Sequence, residues 1–273
     1  MTEEKKTEEN ILEENVTEER VADRTEAEKE IRKELRRVRH KEMDILTKNR
    51  YGKKISLEKI LNRYLPDTLE ETLDAAFREA FKLIFAKGTG IIGKTFNEKK
   101  IRMDGGSAGG SKKRMAADML LTSVEGAGLG ALGVGLPDIP VFTAMLLRTV
   151  YQTAASYRFS YTSKTEQVYI LKLIEAALAR GRDAEIRSRE LDELARKIDE
   201  EGFTYYGSMN QQIEKTSKAL SDETLYLKFV QTMPVVGIAG GLSNPVYMNK
   251  VQNYAEVKYR KRRLLIRLKA LQE

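Results

Sequence analysis

Residues 116–159 read AADMLLTSVEGAGLGALGVGLPDIPVFTAMLLRTVYQTAASYRF. No Lys or Arg stands between Arg114 and Arg148, and the acids in that interval are Asp118, Glu125 and Asp138. The stretch is apolar and glycine-dense, then broken by Pro137 and Pro140. It reads as a helix, an apolar turn, and a second helix opened at Pro140, whose missing N–H suits the first turn of a helix. A second stretch repeats the layout without any charge: Phe229 to Asn249, FVQTMPVVGIAGGLSNPVYMN. Small residues let helices approach closely and the prolines set the turns, so both loops are expected inside a helical body.

Outward from these loops the helical period dominates. Asp67 to Lys87 follows Pro66, opens with the Asp67/Glu70 capping spacing and exits at Gly88. Its Leu69, Leu73, Ala76, Phe77, Ala80, Phe81 and Ile84 share one face. Asp104 to Lys113, DGGSAGGSKK, reads as a flexible connector. Pro140 opens a helix to about Phe159. Ser163 with Glu166 predicts the cap of a helix ending at Gly181, with Val168, Leu171, Leu173, Ile174, Ala177 and Leu178 in the core. Further helices are expected over Ala184–Glu201, stopped by Gly202, over Met209–Leu220, over Asp222–Thr232 and over about Val246–Leu271. FTYYG, ending at Gly207, has strand composition but is too short to pair alone. The predicted class is all-α: a multi-helix bundle with two Gly/Pro-rich apolar loops and a charged N-terminal extension.

That extension changes sign. Residues 1–30 hold twelve acids and five bases; residues 31–63 hold twelve bases and four acids. Ile31, Leu35, Val38, Met43 and Leu46 leave only a thin apolar stripe. Residues 1–54 are expected to be disordered or an extended helix, an arm that pairs with its own leader or meets an acidic partner. Residues 55–273 form the helical domain.

Composition narrows the chemistry. The 273-residue chain carries 41% hydrophobic and 33% charged residues, a formal charge of +7 and no cysteine. Disulfides and thiolate metal sites are excluded. No apolar leader opens the sequence, which reads as a cytoplasmic protein. The single histidine, His40, stands in a basic run, so a serine–histidine triad around Gly105-Gly-Ser-Ala-Gly109 lacks its base. Gly128 to Gly133 matches G-x-G-x-x-G, but no strand precedes it, and a dinucleotide site needs one. No metal, cofactor or catalytic residue is assigned.

Two groups of residues are singled out instead. Gly130, Pro137, Asp138, Pro140 and Arg148 in the first loop and its helix, with Pro234, Gly237, Gly240, Gly241 and Asn244 in the second, form a ligand or structural motif. Asp138 is read as capping the helix at Pro140, and Arg148 as an interhelical tie. The alternative is a small-ligand or enzyme pocket between the loops, lined by Asp138, Arg148 and Asn244. The second group is the basic run on the last helix: Lys258, Arg260, Lys261, Arg262, Arg263, Arg267 and Lys269. Interleaved with Leu264, Leu265, Ile266 and Leu268, it is expected to face an anionic surface. Nucleic acid would attract the same charge, but no base-reading module accompanies it. The prolines and polar residues interrupt both apolar stretches, which disfavours a spanning helix and leaves contact at the interface.

Several separated blocks resemble the EcsC family: Gly126-Ala-Gly-Leu-Gly, then Leu136-Pro-Asp-Ile-Pro-Val, Arg148 and Ala154-Ala-Ser-Tyr157. Met233-Pro-Val-Val-Gly-Ile-Ala-Gly-Gly, Asn244 and Arg262-Arg263-Leu264 follow in order. The likeness runs from about Leu57 to Leu268 and leaves the charged leader outside. Tyr161-Thr-Ser-Lys-Thr-Glu166 stands where family members carry an acid and an arginine. The resemblance implies a helical domain and a membrane-linked, transporter-associated accessory role. It supplies no catalytic residue and no cofactor. The expected partner is an anionic membrane surface or a membrane protein complex, met from the inner face.

Overall fold

One helix, Lys164–Leu178, is buried on nearly every side, with twelve of its fifteen residues inside. A helix that is apolar all round can only sit in the middle of a bundle. The computed structural model describes residues 3–51, 67–86, 138–232 and 245–273. Among them run seven helices: α1 (Glu3–Tyr51), α2 (Asp67–Ala86), α3 (Asp138–Ser156), α4 (Lys164–Leu178), α5 (Arg182–Glu201), α6 (Met209–Thr232) and α7 (Pro245–Gln272). No strand occurs among the described residues, and the chain is an all-α multi-helix bundle.

Helix α4 is packed between α5, α6 and α7; α2 leans on α6 and α3, and α3 on α7. The apolar faces read from the sequence are the ones buried: Leu73, Ala76, Phe77, Ala80, Phe81 and Ile84 on α2, and Val168, Leu171, Leu173, Ile174, Ala177 and Leu178 on α4. Burying each large aliphatic side chain stabilises the fold by about 1.5–3 kcal/mol. Phe77 meets Phe142 edge to face at 6.3 Å, which fixes α2 against α3.

The helix ends show how the path is set. Ser163, in extended backbone, caps α4 by accepting the Glu166 N–H at 3.2 Å. Gly202 ends α5 at φ +63°, with the Phe203 N–H closing on the Lys197 carbonyl at 3.1 Å. The end of α3 uses the same left-handed turn without glycine. Arg158 sits at φ 65° while the Arg158 and Phe159 N–H groups close on Ala155 and Ala154, each at 2.9 Å. This turn sends Phe159 back onto the core.

Two expectations change. The helices expected over 209–220 and 222–232 are one, α6. Its hydroxyls bond back within the helix instead of capping a new start: Thr216 to the Gln212 carbonyl at 2.9 Å, Thr224 to the Leu220 carbonyl at 2.7 Å. The charged extension is helical from Glu3. Its Ile31, Leu35 and Val38 pack with Val257 and Leu264 of α7 in a small cluster of their own, apart from the main core. Much of the two Gly/Pro loops, and the 104–113 connector, lie outside the described residues.

Arg158→Gly relieves the left-handed strain of an exposed residue, and urea unfolding is expected to show a gain of up to about 1 kcal/mol. Ser163→Ala removes the α4 cap and is expected to cost about 1 kcal/mol in the same assay.

Candidate functional site: a buried ion cluster on the last helix

Helix α7 turns its basic run inward. Lys258 is 1% exposed and Arg262 3%, so neither reaches a surface partner. Lys261 lies between two carboxylates, with Glu42 and Asp192 oxygens each 2.7 Å from its Nζ. These three of the seven expected surface cations belong to the interior, because helices α1, α4 and α5 aim acids at the side of α7 that carries them. Arg260 is half-buried and pairs with Glu34 at 3.3 Å. Arg263 is half-buried, and Arg267 and Lys269 are exposed.

Arg262 is the most heavily bound group. Its Nε and Nη2 donate to Asp199 at 2.8 and 2.7 Å. Its Nη1 and Nη2 donate to Glu166 at 2.7 and 3.2 Å. The guanidinium plane lies 4.2 Å from both the Phe159 and the Tyr169 ring centres, an aromatic clamp around a cation. The Tyr259 hydroxyl donates to Glu166 at 2.9 Å. Burial works against the guanidinium's charge, but Asp199, Tyr169 and Glu166 overcome it and raise Arg262 above its ordinary value. The capping spacing at Ser163 therefore holds only half its promise: the Glu166 N–H caps, while its carboxylate serves Arg262.

One turn earlier, Lys258 donates to Glu42, to Asp192 at 2.7 Å and to the Ser188 hydroxyl at 2.8 Å. Ser188 in turn donates to Glu42 at 3.0 Å. A serine beside a lysine is the layout of a nucleophile and its base. Here the ammonium already donates to two carboxylates and Ser188 is 2% exposed, so the pair cannot meet a substrate. Burial disfavours the charged form of Glu42, yet Lys258 and Lys261 together carry it below its ordinary 4.5.

A second buried carboxylate, Glu175, behaves oppositely. It accepts from Gln212, from Thr216 at 2.8 Å and from Arg187 at 2.8 Å. Burial outweighs these donors and raises its pKa above the ordinary 4.5. Between α5 and α7 a groove of about 600 Å³ runs past Asp192, Asp199, Lys261 and Arg262, with Leu265 on its wall. Among the described residues no cluster of His, Asp and Glu has the makings of a metal site.

The first residue group is only partly in view. Asp138 is the first residue of α3, so the helix opens two residues before Pro140. Pro140 is buried. Arg148 is half-buried, and burial lowers its guanidinium from the ordinary value. Gly130, Pro137, Pro234, Gly237, Gly240, Gly241 and Asn244 lie outside the described residues, as does any pocket built on them. Sequence reasoning missed Glu42, Glu166, Asp192 and Asp199. One signal was present: Glu42 stands at heptad spacing within Ile31, Leu35, Val38 and Ile45, a polar residue in an apolar seam.

The model of the EcsC protein family matches residues 29–264. The chain belongs to that family. The match begins inside α1, so it takes in residues that the resemblance had left outside. An uncharacterized protein of Bacillus subtilis (strain 168), YdbA, is 28% identical over 150 residues. That alignment covers 54% of this chain and 54% of YdbA, so the chain spans about half the length of the curated relative it matches. No solved structure matches. Among the described residues no helix is long and apolar enough to cross a membrane.

Removing Arg262 leaves two buried carboxylates unpaired. Arg262→Met is expected to cost about 3–5 kcal/mol in urea unfolding, and adding Glu166→Gln with Asp199→Asn to recover much of it. The pH dependence has opposite contributions. Glu42, lowered in the fold, stabilises above its unfolded value of 4.5, and that stability is lost as pH falls below it. Glu175, raised, favours the fold as it takes up a proton. Glu42→Gln is therefore expected to flatten the acid limb of a stability–pH curve, and Glu175→Gln to steepen it.

Proposed function

We propose that this protein is a non-catalytic helical accessory factor that associates with an anionic membrane surface at the inner face of the membrane. One observation carries the reading: a run of exposed cations on α1 has no ion pair among the described residues. Arg36, Arg37, Arg39 and Lys41 of α1 are exposed, and none has an ion pair among the described residues. Arg267 of α7 is exposed and unpaired too. The sequence reading put the anionic contact on Lys258, Arg260, Lys261, Arg262, Arg263, Arg267 and Lys269; since Lys258, Lys261 and Arg262 are held by interior carboxylates, we assign it chiefly to α1. Near an anionic leaflet each such base contributes on the order of 1 kcal/mol, and four within six residues of one helix make a weak attraction selective. The carboxylates of the buried cluster are spent on their own cations, which leaves that cluster a structural rather than a chemical role.

Vesicle flotation tests this. The protein is expected to float with phosphatidylcholine vesicles carrying phosphatidylglycerol, not with phosphatidylcholine alone, and to be released between about 0.1 and 0.5 M salt. Replacing Arg36, Arg37, Arg39 and Lys41 by Glu is expected to lower anionic binding by at least about tenfold. Equal binding to both vesicles, or to neither, ends the lipid reading.

A further inference from the structure

The face of α7 under α1 has the composition of a membrane-interfacial helix. Val257, Leu264, Leu268 and Leu271 form a stripe at heptad spacing along α7, all in the small cluster with α1 or packed against it. Arg260 and Arg267 flank the stripe on one side and Lys261 on the other. The covering helix runs antiparallel: Gln272 donates to Glu28 at 3.2 Å, Arg260 meets Glu34 at 3.3 Å, and Glu42 meets Lys258 and Lys261. Helix α1 packs on α7 and more lightly on α5. Among the described residues its apolar contacts are a satellite of the core, joined to it through Ile45, which packs against both clusters. The buried residues of the main core all come from α2 to α7.

We propose that this covered face of α7 is a second, concealed docking surface for an anionic phospholipid leaflet, and that α1 is the strap over it. The proposal rests on the reading above that the partner is such a leaflet. The strap's underside supplies what the leaflet would: apolar contact from Ile31, Leu35 and Val38, and negative charge from Glu34 and Glu42. Lifting it leaves Lys258 and Lys261 sharing Asp192 alone, frees Arg260, and bares the stripe between them. An exposed apolar stripe edged by bases lies in the interface plane, where apolar burial and headgroup attraction add. The same exchange suits α1, whose outer face is basic and whose inner face carries the matching stripe. A leaflet thus binds the open form by surfaces the closed form lacks, which is what shifting a population requires.

The chain has no cysteine, so Glu34→Cys with Arg260→Cys places two unique thiols across the seam. The half-buried pair they replace, 3.3 Å apart and in reach of water, contributes little to stability. A short bismaleimide joins them and locks the strap; the same variant capped with a monofunctional maleimide leaves it free. On phosphatidylglycerol-containing vesicles the locked protein is expected to float at least about fivefold less than the capped one. Glu42→Gln, with the strap weakened, is expected to float about tenfold more than the native chain and to exchange amide hydrogens faster over residues 24–49, with α4 unchanged. If the locked and capped proteins float equally, the strap proposal is overturned while binding through the outer face of α1 stands. If neither floats, both readings fall.

Discussion

Arg262 sets the geometry of the bundle. A guanidinium taken out of water is tolerated only when its donors are matched, and here four elements converge to match them. Phe159 comes from the turn after α3, Glu166 and Tyr169 from the first turns of α4, Asp199 from the end of α5, and Arg262 itself from α7. Moving any one by a helical step would strand a charge in the interior. Apolar residues of equal volume could hold these helices together as firmly, but they would tolerate sliding; the ion pairs do not.

The strained turn at Arg158 follows from the same requirement. A glycine there would make the left-handed conformation easily, and Arg158 makes it at a cost. What the turn delivers is Phe159, brought back over α7 so that its ring centre lies 4.2 Å from the Arg262 guanidinium, the same distance as that of Tyr169. Likewise Glu42 keeps α1 in register. An apolar seam spaced at three and four permits one-turn slips, and a carboxylate that must meet Lys258 and Lys261 forbids them.

The helices could be read from the sequence because their signals are local. Ser163 caps α4, Gly202 stops α5, and the faces of α2 and α4 follow their periodicity. Pairing between residues 96 and 216 positions apart is not local, and so the basic run on α7 was read as a surface. Seven bases in twelve residues look solvated only if no acid faces them, and Asp192, Asp199 and Glu166 stand in segments that by themselves read as ordinary helix. The break expected within α6 failed for a related reason. Ser221 and Asp222 have the composition of a new start, but Thr216 and Thr224 spend their hydroxyls on the helix they are in. The site residues of the Gly/Pro loops for the most part lie outside the described residues.

Net charge does not reveal which cations face outward, and here the difference has a sign. The buried cluster gathers Lys258, Lys261 and Arg262 with Glu42, Asp192, Glu166 and Asp199, three cations and four carboxylates. The cluster thus sums to one negative charge within a chain whose formal charge is +7. The remainder is more cationic than the whole. Each acid that α1 turns inward, Glu42 above all, is an acid missing from its outer face, where Arg36, Arg37, Arg39 and Lys41 stand unpaired. The packing of α7 and the exposed charge of α1 are thus two results of one arrangement: carboxylates committed to the interior leave their own helix positively charged toward solvent.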